Sequence, residues 1–282
     1  MNPAGADDFD IAPGATLGDT MRAAPLEPVD VRILAGHALG LSRTQLITRT
    51  GQVLSADDAA RLAGLVRRRI AGEPVAYIVG EREFYGLALH VSPAVLIPRP
   101  DTELLVELAI ERLPRGGSLL DMGTGSGAIP VAAAHARPDA AVAALDVSAA
   151  ALEVARRNAR RHGVRVDFLR SDWFAAVGGR RFDVIASNPP YIVAGDAHLS
   201  QGDLRFEPVD ALTDHGDGLS ALRTIVSGAP DHLRPGGWLL LEHGYDQADA
   251  VRGLLAARGF GGVRSWRDLA GIERVSGGRL PA

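Results

Sequence analysis

The chain reads as an α/β protein in which a parallel sheet, covered by helices on both faces, follows a small helical domain. Three observations carry this. From Ser118 onward, short apolar strand-like runs alternate with helical ones, the pattern of parallel strands joined by crossover helices. The first of these strands runs straight into a glycine-rich turn, Gly123 to Gly127. Before Gly80, apolar residues recur at helical spacing instead.

Taken in order, Met1 to Gly18 carries Asp7, Asp8 and Asp10 and no basic residue before Arg22. That is wrong for a secretory or transit leader and reads as a loose, solvated tail. Thr20 to Ile78 is helical. Val31, Leu34, Ala35, Ala38 and Leu39 form one amphipathic run. Ser55, followed by Asp57 and Asp58, resembles an N-cap with acids in the first turn, ahead of Leu62, Leu65, Val66 and Ile70. The same helix carries Arg67, Arg68 and Arg69, expected to form a solvated face or, alternatively, a contact for an acidic partner or RNA. Glu81 to Pro98 has strand character, with Phe84, Tyr85, Leu87, Leu89 and Val91 broken by Gly86 into a hairpin. Pro98-Arg99-Pro100 stops the extended segment, and Asp101 or Thr102 can cap a helix through Leu104, Leu105, Leu108 and Ala109. The expected division is 1–80 helical, 81–100 a hairpin linker, and 101–282 the α/β domain.

Within that domain, strands are expected at Leu119 to Asp121, Ala141 to Asp146, Val164 to Leu169, Phe182 to Ser187 and Trp238 to Glu242. Helices are expected at Ile129 to Ala136, Ala149 to His162, Leu219 to Leu233 and Gln247 to Arg258, and two short strands, Gly262 to Trp266 and Glu273 to Ser276, close the chain. Ligands of such sheets sit at the carboxyl ends of the strands.

With 282 residues, 46% of them hydrophobic, the chain can build one large core or two ordinary ones. It contains no cysteine, which excludes disulfides and thiolate metal ligation. Its eight histidines show no ligand-like spacing, so no metal is expected. No apolar stretch is long enough to span a membrane, and a cytoplasmic location is expected. All 30 basic residues are Arg, as GC-rich codon usage would produce. The net charge of −4 and pI near 6.1 count against a protein that grips a duplex, because phosphate neutralisation dominates such binding.

The most informative segment is Asn188-Pro189-Pro190-Tyr191, at the end of the apolar run beginning at Phe182. Neither proline can donate a backbone hydrogen bond and each fixes its own φ, so the segment is rigid and its carbonyls are left to accept. The side-chain carbonyl of Asn188 and the backbone carbonyl of Pro189 can converge on one planar NH2 group, with Tyr191 as a flat face beside it. This suits methyl transfer to a nitrogen whose lone pair is held in resonance, as in an amide or a nucleobase amine. An ordinary turn after a strand is the competing reading.

Upstream residues weigh against that turn. Asp121-Met122-Gly123-Thr124-Gly125-Ser126-Gly127 follows a strand and opens a helix, and its glycines permit a tight turn and close approach of a ligand to the backbone. Its spacing is G-x-G-x-G, not the dinucleotide G-x-G-x-x-G. Asp121 would repel a pyrophosphate, whereas S-adenosylmethionine has no phosphate and carries an ammonium group. Asp146, 19 residues beyond Gly127 at the end of the second strand, can take both hydroxyls of a ribose, although it would serve NAD equally. After the third strand, Trp173 or Phe174 can pack on an adenine ring while Asp172 accepts its amino group; core packing is the competing reading for Trp173.

These residues resemble the release-factor glutamine methyltransferases, the HemK family of class I S-adenosylmethionine-dependent methyltransferases, over nearly the whole chain. The marks are Gly72-Glu73-Pro74 with Glu83-Phe84, Ile97-Pro98-Arg99-Pro100-Asp101-Thr102-Glu103, Asp121 to Gly127, Ser171-Asp172-Trp173-Phe174, Ser187 to Tyr191, Arg205-Phe206-Glu207-Pro208 and Leu241-Glu242-His243-Gly244. Asn-Pro-Pro-Tyr is shared by many amino-methyltransferases; the segments around Arg99 and Glu207 are far narrower. The resemblance implies a Rossmann-like sheet, mostly parallel with an antiparallel last strand. It implies methylation of the glutamine in the Gly-Gly-Gln loop of class I peptide-chain release factors, with no DNA substrate expected. Carried over by motif, Gly123, Thr124, Gly125, Ser126, Gly127, Asp146, Asp172, Trp173 and Asn188 contact the cofactor. Asn188, Pro189, Pro190 and Tyr191 hold the glutamine, with Asn188, Pro189 and Tyr191 catalytic. The helical domain helps dock the release factor. Ser126 and Pro130 stand where other small or apolar residues are common in the family, and Pro130 falls near a helix's first turn, where proline is tolerated.

Rival readings change the acceptor or the class. A nucleic-acid adenine methyltransferase would use the same tetrapeptide on a flipped base, but the first 100 residues hold 10 Arg against 11 acids and show no basic recognition region. A glutamine methyltransferase of a ribosomal protein is nearer; the Pro98 to Glu103 segment favours the release factor. A binding module without catalysis is opposed by intact Asp121, Asp146 and Asn188, and a nicotinamide oxidoreductase by the glycine spacing.

Overall fold

The computed structural model describes residues 9–282. These fall into two compact units: one takes the described residues through Gly80 together with Gln201–Phe206, the other Glu81–Ser200 and Glu207–Ala282.

The first unit holds helices α1 (Leu17–Ala23), α2 (Pro28–Leu39), α3 (Arg43–Thr48), α4 (Ala56–Ile70) and α5 (Val75–Val79). Local chemistry sets their ends. Pro28 opens α2, where its missing N–H costs nothing, and Gly40 closes it in the left-handed region at φ 62°. Ser42 and Gln45 form a reciprocal capping box at α3, and Ser55 caps α4 by accepting from Asp58 N at 3.1 Å. Leu17, Leu34, Ala35, Leu62 and Ala63 are fully buried in its core, each leucine worth about 2 kcal/mol of burial.

Two expectations are corrected here. The loose tail does not extend to Gly18. Ile11 is buried, Thr16 caps α1, and the amides of Leu17 and Gly18 donate to Gln52 and Thr50 carbonyls at 2.8 Å. Ile11 and Leu17 supply apolar surface that pulls the backbone inward; Met1–Asp8 lies outside the described residues. The arginine cluster is likewise not a bare solvated face. Arg67 donates to Phe9 O at 2.9 Å, Arg68 pairs with Glu73 at 2.5 Å, and Arg69 bridges Asp30 and Asp203 at 2.8 Å each. Asp30 and Asp203 lie too far off in the chain for local patterning to reveal them, 39 and 134 residues from Arg69.

The second unit opens with the hairpin β1 (Glu81–Phe84) and β2 (Leu87–His90), joined by Tyr85 and Gly86 at φ 52° and 72°, the two positive values of a type I′ turn. Then follow α6 (Thr102–Arg112), β3 (Ser118–Met122), α7 (Ala128–Ala136), β4 (Ala141–Asp146), α8 (Ala149–Arg161), β5 (Asp167–Arg170), β6 (Phe182–Ser187), α9 (Val209–Leu212), α10 (Ser220–His232), β7 (Leu233–Glu242), α11 (Ala248–Ala257), β8 (Gly261–Arg267) and β9 (Glu273–Arg279). The sheet order is β5-β4-β3-β6-β7-β9-β8. Strands β5 to β7 pair in parallel, and β9 runs antiparallel to both its neighbours. Alternate residues serve the two faces: Leu119, Val184 and Leu240 join one core, Leu120, Ile185 and Leu239 the other. Burial on both sides is why these strands read as continuous apolar runs. β7 starts at Leu233, ahead of the expected Trp238, because Leu233 pairs with Phe182 across an irregularity in register.

Strand order reverses between β3 and β6. Ligands bind at such switch points in open α/β sheets, and here the glycine turn leaves β3 while Asn188 leaves β6. The buried Ser187 hydroxyl donates to Met122 O at 2.7 Å and locks these two strand ends together. The cap expected for α6 does not form: Asp101 occupies the cap position without a side-chain hydrogen bond and lies 3.6 Å from Arg274. Thr102 turns inward toward Asn188.

Candidate active site

The glycine turn is built by backbone conformations that only glycine adopts freely. Gly123, Gly125 and Gly127 have φ of 71°, 54° and 80°. They serve different ends. A Cβ on Gly127 would lie 2.9 Å from the Ala155 Cβ, so this glycine allows α7 and α8 to approach. A Cβ on Gly123 or Gly125 would meet nothing within 4 Å; these two face open space.

That space is a cavity of about 280 Å³ within the second unit. Gly123, Gly125, Asp146, Asp172, Trp173 and Asn188 line it, with Pro190 at its edge. Thr124, Ser126 and Gly127 do not line it, and neither do Pro189 and Tyr191. Thr124 and Ser126 are buried beneath the turn. Leu96, Pro208 and Ala211 also line it; Pro208 ends the Arg205 to Pro208 motif, whereas Leu96 and Ala211 had no local signal in the sequence. A wider, shallower groove of about 1310 Å³ opens at the amino ends of the strands, lined by Arg156, Arg160, Arg165 and Arg180, and holds none of these residues.

Asp146 reaches back across the turn. Its Oδ2 accepts from Gly125 N and its Oδ1 from Ser148 N, each at 2.9 Å. Burial raises its pKa, and these amide donors offset part of the rise. Asp121 is fully buried below the turn. Both its carboxylate oxygens and the Thr124 hydroxyl lack a hydrogen-bond partner of normal geometry among the described residues. Burial pushes its pKa up to about 7; nearby Thr124 lowers it and the Asp146 charge raises it. Open glycines above orphaned acceptors suit a ligand that is compact at the turn and bears positive charge. The amino-acid end of S-adenosylmethionine has that chemistry; a pyrophosphate does not.

Of the two neighbouring aromatic residues, only Trp173 lines the cavity. Trp173 adopts φ 43° and lines the cavity, with the Ser171 hydroxyl donating to its carbonyl at 2.6 Å. Phe174 turns away, stacking on His232 with ring centroids 4.6 Å apart and contacting Gly228.

On the other side, Asn158 is fully buried. Its Nδ2 donates to His90 O and Ser126 O at 2.9 and 2.8 Å, and its Oδ1 accepts from His90 N at 2.7 Å. It thereby pins the hairpin to the glycine turn. Asn188 Nδ2 donates to Thr102 Oγ1 at 3.2 Å. Tyr191 is half-buried; its carbonyl accepts from Gln247 Nε2 at 2.9 Å, and its hydroxyl faces Glu242. Burial raises the Tyr191 pKa, with the Glu242 charge adding to the rise. Thr102 and Glu242 escaped the sequence reading as site residues. Glu242 had a signal, a carboxylate ending the apolar run of β7.

The Methyltransferase small domain family matches residues 100–205, and the PrmC N-terminal domain family matches residues 18–80. The release factor glutamine methyltransferase of Burkholderia pseudomallei is 58% identical over 276 residues, 95% of this chain and 97% of that one. Its counterpart in Neisseria gonorrhoeae is 52% identical over 266 residues, 94% and 97% of the two chains. Among solved structures, a methyltransferase from Pyrococcus furiosus matches with a TM-score of 0.55 at 22% identity, covering 76% of this chain and 97% of that one; this likeness bears on the fold. Relatives of such identity span almost the entire chain. The chain belongs to the S-adenosylmethionine-dependent release factor glutamine methyltransferases.

Proposed function

We propose that this protein transfers a methyl group from S-adenosylmethionine to the side-chain amide nitrogen of the glutamine in the Gly-Gly-Gln loop of class I peptide-chain release factors. The observation that supports this most is the placement of Asn188 at the wall of the cavity, with its NH2 already engaged by Thr102. Its Oδ1 is left for the acceptor.

When bound, the cofactor supplies a methyl group made electrophilic by a sulfonium. Gly123 and Gly125 would let it approach the backbone. Asp146 would take the ribose hydroxyls with its remaining lone pairs, and Trp173 with Asp172 would receive the adenine. The acceptor amide then donates one hydrogen bond to Asn188 Oδ1 and one to the Pro189 carbonyl. These bonds would turn the nitrogen lone pair toward the methyl group and favour a pyramidal nitrogen; the methyl–sulfur bond would break as the carbon–nitrogen bond forms, and the alkylated nitrogen, now acidic, would release one of its two protons to solvent, so positioning and fixed dipoles replace a strong base. Pro190 stiffens the segment and Tyr191 packs beside the amide. The helical unit serves to dock the release factor, and a cytoplasmic location accords with a substrate used in translation.

The test incubates the protein with labelled S-adenosylmethionine and an unmodified full-length release factor, then locates the methyl group by peptide mass spectrometry. A methyl group on the Gly-Gly-Gln glutamine is the expected result. Its absence, with cofactor still bound, would transfer the search to ribosomal proteins and then nucleic acid.

A further inference from the structure

We propose that Thr102 and Glu242 are positioning residues that fix which end of the Asn188 amide faces the acceptor. This rests on the role given to Asn188 above. Thr102 and Glu242 are 5% and 1% exposed, and neither lines the cavity. The Thr102 hydroxyl accepts from Asn188 Nδ2 at 3.2 Å and also faces the Glu242 carboxylate, which the Tyr191 hydroxyl faces as well. The Glu242 Oε2 has no hydrogen-bond partner among the described residues.

A hydroxyl has one proton to give, and an ionised carboxylate only accepts. The Thr102 proton is therefore drawn toward Glu242, which leaves its lone pairs for Asn188. Asn188 must present NH2 to Thr102 and its carbonyl oxygen to the cavity. In the reversed orientation the Asn188 NH2 would oppose the acceptor's NH2, two donors with no acceptor between them.

The polarity of this chain depends on the charge of Glu242. Burial pushes its pKa up to about 7; Thr102, Arg274 and Tyr191 pull it down, and Asp101 pushes it up. Arg274 is shared with Asp268 at 3.2 Å and Asp101 at 3.6 Å. Once protonated, Glu242 becomes a donor to Thr102, whose own proton is then free to turn to the Asn188 carbonyl. The productive orientation belongs to the alkaline side of this titration.

The experiment compares Thr102→Val, Thr102→Ser and Asn188→Ala with the unaltered protein, at saturating cofactor so that Asp121 ionisation bears less on the rate. Thr102→Val should keep cofactor affinity within about threefold and lose at least roughly tenfold in kcat, and Thr102→Ser should recover most of that loss. In the unaltered protein kcat should climb between pH 6 and 8, and this limb should vanish in Thr102→Val. Full kcat in Thr102→Val, equal losses in the Val and Ser variants, or a flat wild-type profile would each overturn the proposal. Should Thr102→Val be fully active while Asn188→Ala is dead, this proposal alone fails; full activity in both removes the role of Asn188 as well.

Discussion

The backbone amide of Ile97 donates to Oε2 of Glu207 at 3.0 Å, joining segments 110 residues apart. The other carboxylate oxygen pairs with Arg99. The two narrowest motifs in the sequence are therefore one clasp, standing beside the cavity wall formed by Leu96 and Pro208. Glu207→Ala strands a buried amide and unpairs Arg99, a loss of about 2–3 kcal/mol. Thermal unfolding should show Tm lowered by roughly 5–10 °C; an unchanged Tm would mean the clasp carries no stability.

Gly123 and Gly127 separate binding from packing. Gly127→Ala meets Ala155 at 2.9 Å as well as a disfavoured φ, and should cost more than the 1–2 kcal/mol of backbone strain alone. Gly123→Ala has strain without a clash, but its methyl group enters the cavity. Calorimetry should find cofactor affinity reduced at least about tenfold in Gly123→Ala, with a smaller loss of stability than in Gly127→Ala. The reverse ranking of stability would contradict the packing role.

Asp121 makes the cofactor-free protein sensitive to pH. With its pKa raised from 3.8 to about 7 by burial, the native state keeps a proton that the unfolded chain has released. Native stability therefore falls as pH rises from about 4 to 7 and levels off above. Glu242 contributes with the same sign, so the informative quantity is the difference between Asp121→Asn and the unaltered protein. The Tm advantage of the Asn variant should widen from pH 5 to 7 and then stay constant; an advantage independent of pH would show that Asp121 does not titrate there.

Asp146→Asn replaces one acceptor with an NH2 group where both oxygens now accept backbone amides. One of those two bonds must be lost. Each hydrogen bond to a charged group is worth about 1.5–3 kcal/mol, so S-adenosylmethionine affinity should fall roughly 10- to 100-fold. Unaltered binding would remove Asp146 from the site.

Arg69 holds Asp203 and Asp30 in the helical unit while about a quarter exposed. Solvent screening limits its worth to about 1 kcal/mol. Arg69→Ala should leave Tm nearly unchanged but speed amide hydrogen exchange in residues 201–206. Unchanged exchange there would show that the segment is held by other contacts.

The sequence alone determined the architecture because its signals are local. Periodicity marks the strands of the sheet and the longer helices within a few residues, whereas the short α3, α5 and α9 carried no signal of their own. The alternating segments after Ser118 require a parallel sheet, and the three glycines that follow its first strand, Gly123, Gly125 and Gly127, locate the cofactor turn. Asn188-Pro189-Pro190-Tyr191 announces its rigidity in four letters. Tertiary structure decided everything that depends on partners distant in the chain. It sent Thr102, a candidate helix cap, to Asn188, 86 residues on. It placed Glu242 behind both, and it chose Trp173 over Phe174 for the cavity. It also joined Arg69 to Asp203, 134 residues away. Burial and hydrogen-bond pairing are properties of the packed chain, so a carboxylate at the end of a strand enclosed on both faces has its pKa raised to about 7, and its ionised form orients its neighbours.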